Sequence, residues 1–121
     1  MGNYTDDECL QALDEMGADV PGALNRFIDN AELYKKFLRK FPEDGSFPGL
    51  MANLSDENVK DAFYFAHTLK GVAANLGFVN LTDVLYPVVE DLRAGRPADP
   101  AQIEQCREVY QMIVDVINRY A

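Results

Sequence analysis

Cations are scarce in this chain. Eleven lysines and arginines stand against 20 aspartates and glutamates, for a formal net charge of −9. A nucleic-acid or anionic-membrane surface needs the opposite balance, so neither partner is expected. The negative charge speaks first of solubility. No apolar run reaches membrane-spanning length, and Met1-Gly2-Asn3-Tyr4-Thr5-Asp6-Asp7 has neither a basic opening nor an apolar signal core. A soluble, cytoplasmic protein without membrane contact is therefore expected. Cysteine is limited to Cys9 and Cys106, with no Cys-x-x-Cys pair, and histidine to His67. That leaves no zinc ligand set. Both cysteines fall on apolar stripes, where buried free thiols are expected. No Glu-x-x-His is present, which removes di-metal bundle chemistry. There is no period-two strand pattern, repeat, low-complexity tract or interdomain linker.

What remains is helical. With 121 residues, 48% of them hydrophobic and 26% charged, the chain suits one globular domain with a single core. Thr5-Asp6-Asp7-Glu8 reads as a capping box for a short lead-in helix bearing Leu10, Leu13 and Met16, which Gly17 ends. Over 23–41, Leu24, Phe27, Ile28, Ala31, Tyr34, Leu38 and Phe41 keep helical spacing, with Asp29-Asn30 a point where the run can break and recap. Pro42 must stop or kink it. Phe47, Leu50, Met51 and Leu54 suggest another short helix. Ser55 is the expected cap of a central helix that runs through His67 to about Gly77. Asn80-Leu81-Thr82-Asp83 opens the next helix, which contains Pro87 and closes at Arg93-Ala94-Gly95. Asp99-Pro100-Ala101-Gln102 combines a cap, a first-turn proline and a glutamine to close the box. Ile103, Cys106, Val109, Tyr110, Ile113, Val114 and Ile117 then stripe the last helix. The expected fold is all-α: an antiparallel up-and-down four-helix bundle over about 31–121, preceded by one or two short helices over about 1–30.

The central helix separates its faces clearly. At about 100° per residue from His67, Ala62, Phe65, Ala66, Leu69, Val72, Ala73 and Leu76 gather on the far side as a core face. Lys60, Phe63, Tyr64, Lys70, Gly71, Ala74 and Asn75 share the near side with the histidine. Packing thus does not require His67. Gly71 costs about 1 kcal/mol relative to alanine inside a helix, and clearing space beside the imidazole is a reason for it. Lys70, one turn on, can swing a mobile point charge toward an anion on the ring.

A ring nitrogen of a neutral imidazole is a competent nucleophile. Nothing else in the chain completes a catalytic apparatus. No glycine-rich phosphate cradle, nucleotide-binding signature or carboxylate trio for magnesium is present. A phosphoryl group accepted by His67 would need its clamp and in-line partner from another protein.

The stretch Ala66-His67-Thr68-Leu69-Lys70-Gly71-Val72-Ala73-Ala74-Asn75-Leu76-Gly77 resembles, without gaps, the signature of histidine-containing phosphotransfer (HPt) domains. Ala23-Leu24-Asn25-Arg26-Phe27 and the helix over 81–95 also resemble the family, so the likeness covers most of the chain. Pro42 and Pro87 interrupt helices that are usually smoother there. The resemblance implies a monomeric four-helix bundle whose histidine shuttles phosphate with an aspartate of a receiver domain, in a response regulator or a hybrid sensor histidine kinase. His67 is then the phosphorylated residue, with Lys70 and Gly71 its supporting pair. No cofactor of the chain's own is implied, and magnesium is expected on the partner receiver.

The same helical wheel supplies a docking patch: Phe63 and Ala74, apolar on the histidine face, flanked by Lys60, Tyr64 and Asn75. Two other classes compete. A non-phosphorylated helical-bundle interaction module would not depend on His67. An enzyme with His67 as general base would need a nucleophile or orienting carboxylate on the same face, and the wheel supplies none.

Overall fold

In the computed structural model, which describes residues 6–121, asparagine and aspartate start most of the helices. The elements in order are α1 (Glu8–Glu15), α2 (Val20–Arg26), α3 (Ala31–Lys40), a 3-10 turn (Phe41–Glu43), α4 (Ser46–Ser55), α5 (Val59–Asn75), α6 (Val79–Arg93) and α7 (Pro100–Tyr120). Among the described residues there is no strand, and no helix is long and apolar enough to cross a membrane. Asp7, Asp19, Asn30, Asn58 and Asp99 each place a side-chain oxygen on an orphan N–H of the first turn that follows. Such caps are worth about 1 kcal/mol each.

Several boundaries differ from the sequence expectation. The capping box at Thr5 lies outside the described residues; Asp7 accepts from the Leu10 N–H at 3.1 Å and starts α1. The run over 23–41 divides into α2 and α3, because Ile28 and Asp29 both turn left-handed, at φ 53° and 55°. Asn30 then recaps the chain through the Leu33 N–H at 3.0 Å. Ser55 does not cap the central helix. It is the last residue of α4, whose end is closed when the Asn58 N–H reaches back to the Asn53 carbonyl at 2.9 Å. Asn58 is the true cap of α5, accepting from the Asp61 N–H at 3.2 Å.

Asn80 does not start α6 either. The helix begins at Val79, and Asn80 uses its amide to reach the Met16 carbonyl at 3.3 Å, tying the end of α1 to α6. The box before α7 stays open. Asp99 accepts from the Ala101 N–H at 2.8 Å, but Gln102 Oε1 is buried without a hydrogen-bond partner. Gly17, Gly77 and Gly95 do end helices, at φ 107°, 81° and 78°. Pro42 falls in the 3-10 turn, whereas α6 runs on through Pro87.

Helix α5 lies between α4 and α6; α6 in turn packs on α7, which also carries α1, α3 and the 3-10 turn. Four aromatic residues close this ring. The Phe41 ring meets Phe78 at 5.0 Å and Tyr110 at 5.4 Å, and Phe47 stacks on Tyr110 at 3.8 Å. The bundle therefore has four sides, the first of them broken into α3, the turn and α4. Buried alanines at 62, 66 and 73 line the core side of α5 with Leu69. These small side chains let neighbouring helices come close. Phe65 and Val72, expected in the core, are only half-buried, because that alanine strip takes the centre line. Gly49 of α4 makes room for the flank: a Cβ there would sit 2.5 Å from the Phe65 ring. Cys9 and Cys106 are buried free thiols, as the stripes predict.

Candidate functional site

His67 projects from the side of α5 opposite its buried strip and is exposed to solvent. Phe63 stands one turn earlier, its ring 5.7 Å from the imidazole and tilted by 38°. Phe63 is half-buried because the Arg93 guanidinium of α6 covers it, 5.1 Å from the ring centre. Lys70 leans the same way, its ammonium 5.0 Å from the centre of the Tyr86 ring, also on α6. Two residues of α6 thus reach over the rim of the α5 face, each by a cation–π contact.

The opposite rim belongs to Tyr64. Its ring is 63% exposed and edge-on to Phe65 at 5.2 Å. Thr68 donates back to the Tyr64 carbonyl at 2.8 Å, a bond internal to the helix that keeps its hydroxyl off the histidine face. Lys60 is exposed two turns before His67, and Ala74 and Asn75 are exposed two turns after it. The structure therefore brings Phe63 onto the imidazole and turns Lys70 to Tyr86. Lys60, Tyr64, Ala74 and Asn75 form the periphery.

Gly71 is the most telling neighbour. Beyond its chain neighbours and the backbone of its own helix, a Cβ built on it would meet nothing within 4 Å. Glycine here solves no packing problem of the bundle, in contrast to Gly49 or Gly77. The open volume lies one turn from the imidazole, where an approaching molecule can use it.

The electrostatics of this face run against the chain as a whole. Within about 80° of His67 on the helical wheel, α5 presents Lys60 and Lys70 and no carboxylate; Asp61 lies about 120° away. Arg93 adds a third cation from α6, partly engaged by Glu90 at 3.3 Å. On a protein of net charge −9, a locally cationic strip around the imidazole suits a dianionic group.

The end of α5 is held firmly. Arg26 donates from Nη2 to the Ala74 carbonyl at 2.9 Å and from Nε to the Asn75 carbonyl at 3.1 Å. A cation on terminal carbonyls is favoured by the helix dipole. The buried Tyr34 hydroxyl donates to the Leu76 carbonyl at 2.7 Å, and the Asp19 N–H donates to the Gly77 carbonyl at 2.7 Å. Burial pushes the Tyr34 hydroxyl well above its ordinary range, with the Cys9 thiol adding to the effect, so it stays a neutral donor. Gly77 is required here, since a Cβ would lie 2.6 Å from the Asp19 carbonyl oxygen. Helices α2 and α3 thereby fix the last turn of the helix that carries His67.

Sequence reading missed Arg93, Tyr86, Arg26 and Tyr34. The first reads in the sequence as a helix-ending cation and the last as one position of the apolar spacing over 23–41. A signal for the α6 pair exists: Tyr86 and Arg93 lie two turns apart on one flank of the buried stripe of α6, each within about 60° of Val89. Arg26 and Tyr34 had no comparable signal, because their acceptors lie 48 and 42 residues downstream.

An open groove of about 620 Å³ lies elsewhere, at the start of α5, lined by Leu54, Val59, Leu92, Ala98 and Ile103 among others. It does not include His67. Among the described residues, no three His, Cys, Asp or Glu side chains come together as a group able to hold a metal ion.

Comparison with known families gives a match to the model of the Hpt domain over residues 32–116. Searches of curated proteins and of solved structures found no match. The family model spans most of α3 and nearly all of α7, with the His67 helix at its centre, and the chain belongs to the Hpt domain family, whose members serve phosphotransfer in two-component signalling.

Proposed function

We propose that His67 is a phosphocarrier, accepting a phosphoryl group from an aspartyl phosphate of a receiver domain and passing it to the aspartate of another. The observation that carries this reading is the exposed imidazole beside a glycine whose missing side chain leaves open space, within the segment matched by the Hpt domain model. In the step itself, the lone pair of a neutral ring nitrogen attacks phosphorus in line. The N–P bond forms as the P–O bond to the aspartate breaks, and the aspartate leaves as a carboxylate. The phosphorylated ring keeps the proton on its other nitrogen, and its positive charge offsets part of the phosphoryl charge. Return transfer to a second receiver runs the same exchange backward.

Each neighbour has a definable part. Lys70 is tethered to Tyr86 only by a cation–π contact, and its flexible stem can swing to the transferring oxygens. Gly71 lets the partner's backbone approach. Phe63 supports the flank of the imidazole, and Ala74 offers a small apolar surface two turns further along the face. Lys60, Tyr64 and Asn75 form a polar rim for docking. Magnesium is assigned to the receiver, where it would supply charge neutralisation for the phosphoryl group. The chain thus acts as a carrier rather than as a kinase or phosphatase, and exchange with receivers places it in the cytoplasm.

The direct test mixes the chain with phosphorylated receiver domains and magnesium and follows the label. Wild type should become labelled on a bond that is acid-labile and comparatively stable to base. His67→Gln should take no label while its circular dichroism is unchanged, because the side chain contributes nothing to the core. Label on a hydroxyl residue, or function retained by His67→Gln, would overturn the reading in favour of a module that binds without carrying phosphate.

A further inference from the structure

Ile28 is the least protected large apolar residue among those described: its side chain is 82% exposed. It also stands in the left-handed region, at φ 53°, where a β-branched side chain is strained. A glycine or asparagine would satisfy the end of α2 with less strain. Nothing in the bundle covers Ile28 enough to offset that conformation. The strained turn is nevertheless tightly built, with the Asp29 N–H bonded to the Leu24 carbonyl at 2.8 Å and the Asn30 N–H to Phe27 at 3.0 Å. It is also held in a specific place. Arg26, two residues earlier, grips the Ala74 and Asn75 carbonyls at 2.9 and 3.1 Å. The Ile28 turn is thus anchored to the exposed end of the helix whose middle carries His67.

We propose that the α2–α3 turn, through Ile28, is an apolar anchor that extends the receiver docking surface beyond α5. The inference rests on the phosphotransfer reading and names a further contact for the same partner. The occupant is a receiver domain seated over His67, whose apolar surface continues past Ala74 and Asn75 to the turn. Two observations favour that occupant: Arg26, two residues before Ile28, is bonded to the Ala74 and Asn75 carbonyls at the exposed end of the His67 helix, and Ile28 itself leaves an apolar side chain uncovered. In this arrangement Ile28 touches neither the phosphoryl group nor the imidazole. Its effect falls on binding.

The test uses the full chain and isolated receiver domains loaded with beryllofluoride as a stand-in for the phosphoaspartate, with Kd measured by calorimetry. Ile28→Gly and Ile28→Asn should raise Tm by a few degrees, since strain is relieved. The same variants should weaken receiver binding about tenfold, the loss of one buried aliphatic contact. In transfer assays KM should rise while kcat holds. Labelling of His67 by the small donor phosphoramidate should be unchanged. Ile28→Leu should keep most of the affinity. Variants that bind receivers as tightly as a wild type that is itself bound and labelled would overturn this inference alone. A wild type that neither binds nor is labelled by any receiver would overturn the phosphotransfer reading, and this inference with it.

Discussion

Lys70 rests its ammonium 5.0 Å above the centre of the Tyr86 ring, joining the histidine face of α5 to the outer face of α6. The contact holds the lysine on this rim without consuming its charge. An exposed cation–π contact of this kind is worth about 0.5–1 kcal/mol, little enough to be released when an anion arrives. Lys70→Ala should therefore slow transfer by about tenfold, as loss of one screened cation near a developing charge, with thermal stability almost unchanged. Tyr86→Leu should alter transfer far less. Rapid-quench measurement of phosphoryl transfer for both variants checks this, and equal rates for Lys70→Ala and wild type would remove the lysine from the reaction.

Gly71 offers a sharper contrast. Because a Cβ there meets nothing within 4 Å, Gly71→Ala should gain the helix propensity of alanine, about 1 kcal/mol. For a chain of this size that raises Tm by about 4 °C. If the empty space serves an incoming receiver, the same variant should lose transfer rate and affinity. Thermal denaturation and transfer kinetics on one preparation decide the matter. A stabilised variant with full activity would leave the glycine without a role in transfer.

The end of α5 should be the most sensitive part of the site to structural change. Gly77→Ala combines φ 81° with a Cβ 2.6 Å from the Asp19 carbonyl oxygen, and should cost about 2 kcal/mol or more. Tyr34→Phe leaves the Leu76 carbonyl without its 2.7 Å partner in a buried setting, for about 1–2 kcal/mol. Urea denaturation measures both. Neither variant removes the imidazole, so phosphoramidate labelling of the folded fraction should persist.

Stability should fall in alkali. Burial pushes the Cys9 and Cys106 thiols from an ordinary 9.0 up to about 11, and the Asp7 charge adds to the shift at Cys9. With the folded value above the unfolded one, the contribution is complete below pH 9.0 and is lost as pH climbs to about 11, because the unfolded chain releases these protons first. Tyr34 adds to the loss at higher pH. Cys106→Ala should flatten the decline of the urea midpoint between those limits. At the acid end, Asp7 is partly desolvated, but the Leu10 N–H and Lys35, 3.0 Å away, outweigh burial and hold its carboxyl below 3.8. Its contribution is present above that value and disappears as pH falls through the folded value. Asp7→Asn should blunt this acid limb.

Local chemistry explains what could be read directly. Stop signals at Gly17, Gly77 and Gly95 act within one turn, so the sequence places them well. The same holds for Asp99 before Pro100. Ser55 misled because Ser55, Asp56 and Asn58 are all competent caps, and only the closure of α4 by Asn58 decides among them. The 23–41 run misled for a related reason. Its helical period continues across Ile28, while the backbone reverses there.

By itself, the sequence determined that the protein is all-helical, and helical periodicity put His67 on the side of its helix away from the alanine strip. Both follow from periodicities and caps that reach no further than a few residues. Tertiary structure alone decided that Arg93 covers Phe63, that Lys70 meets Tyr86, and that Arg26 and Tyr34 hold the end of α5. Those contacts depend on the rotation and axial offset of helices far apart in the chain, which are set by how the alanines, Gly49 and the aromatic residues fill the space between them.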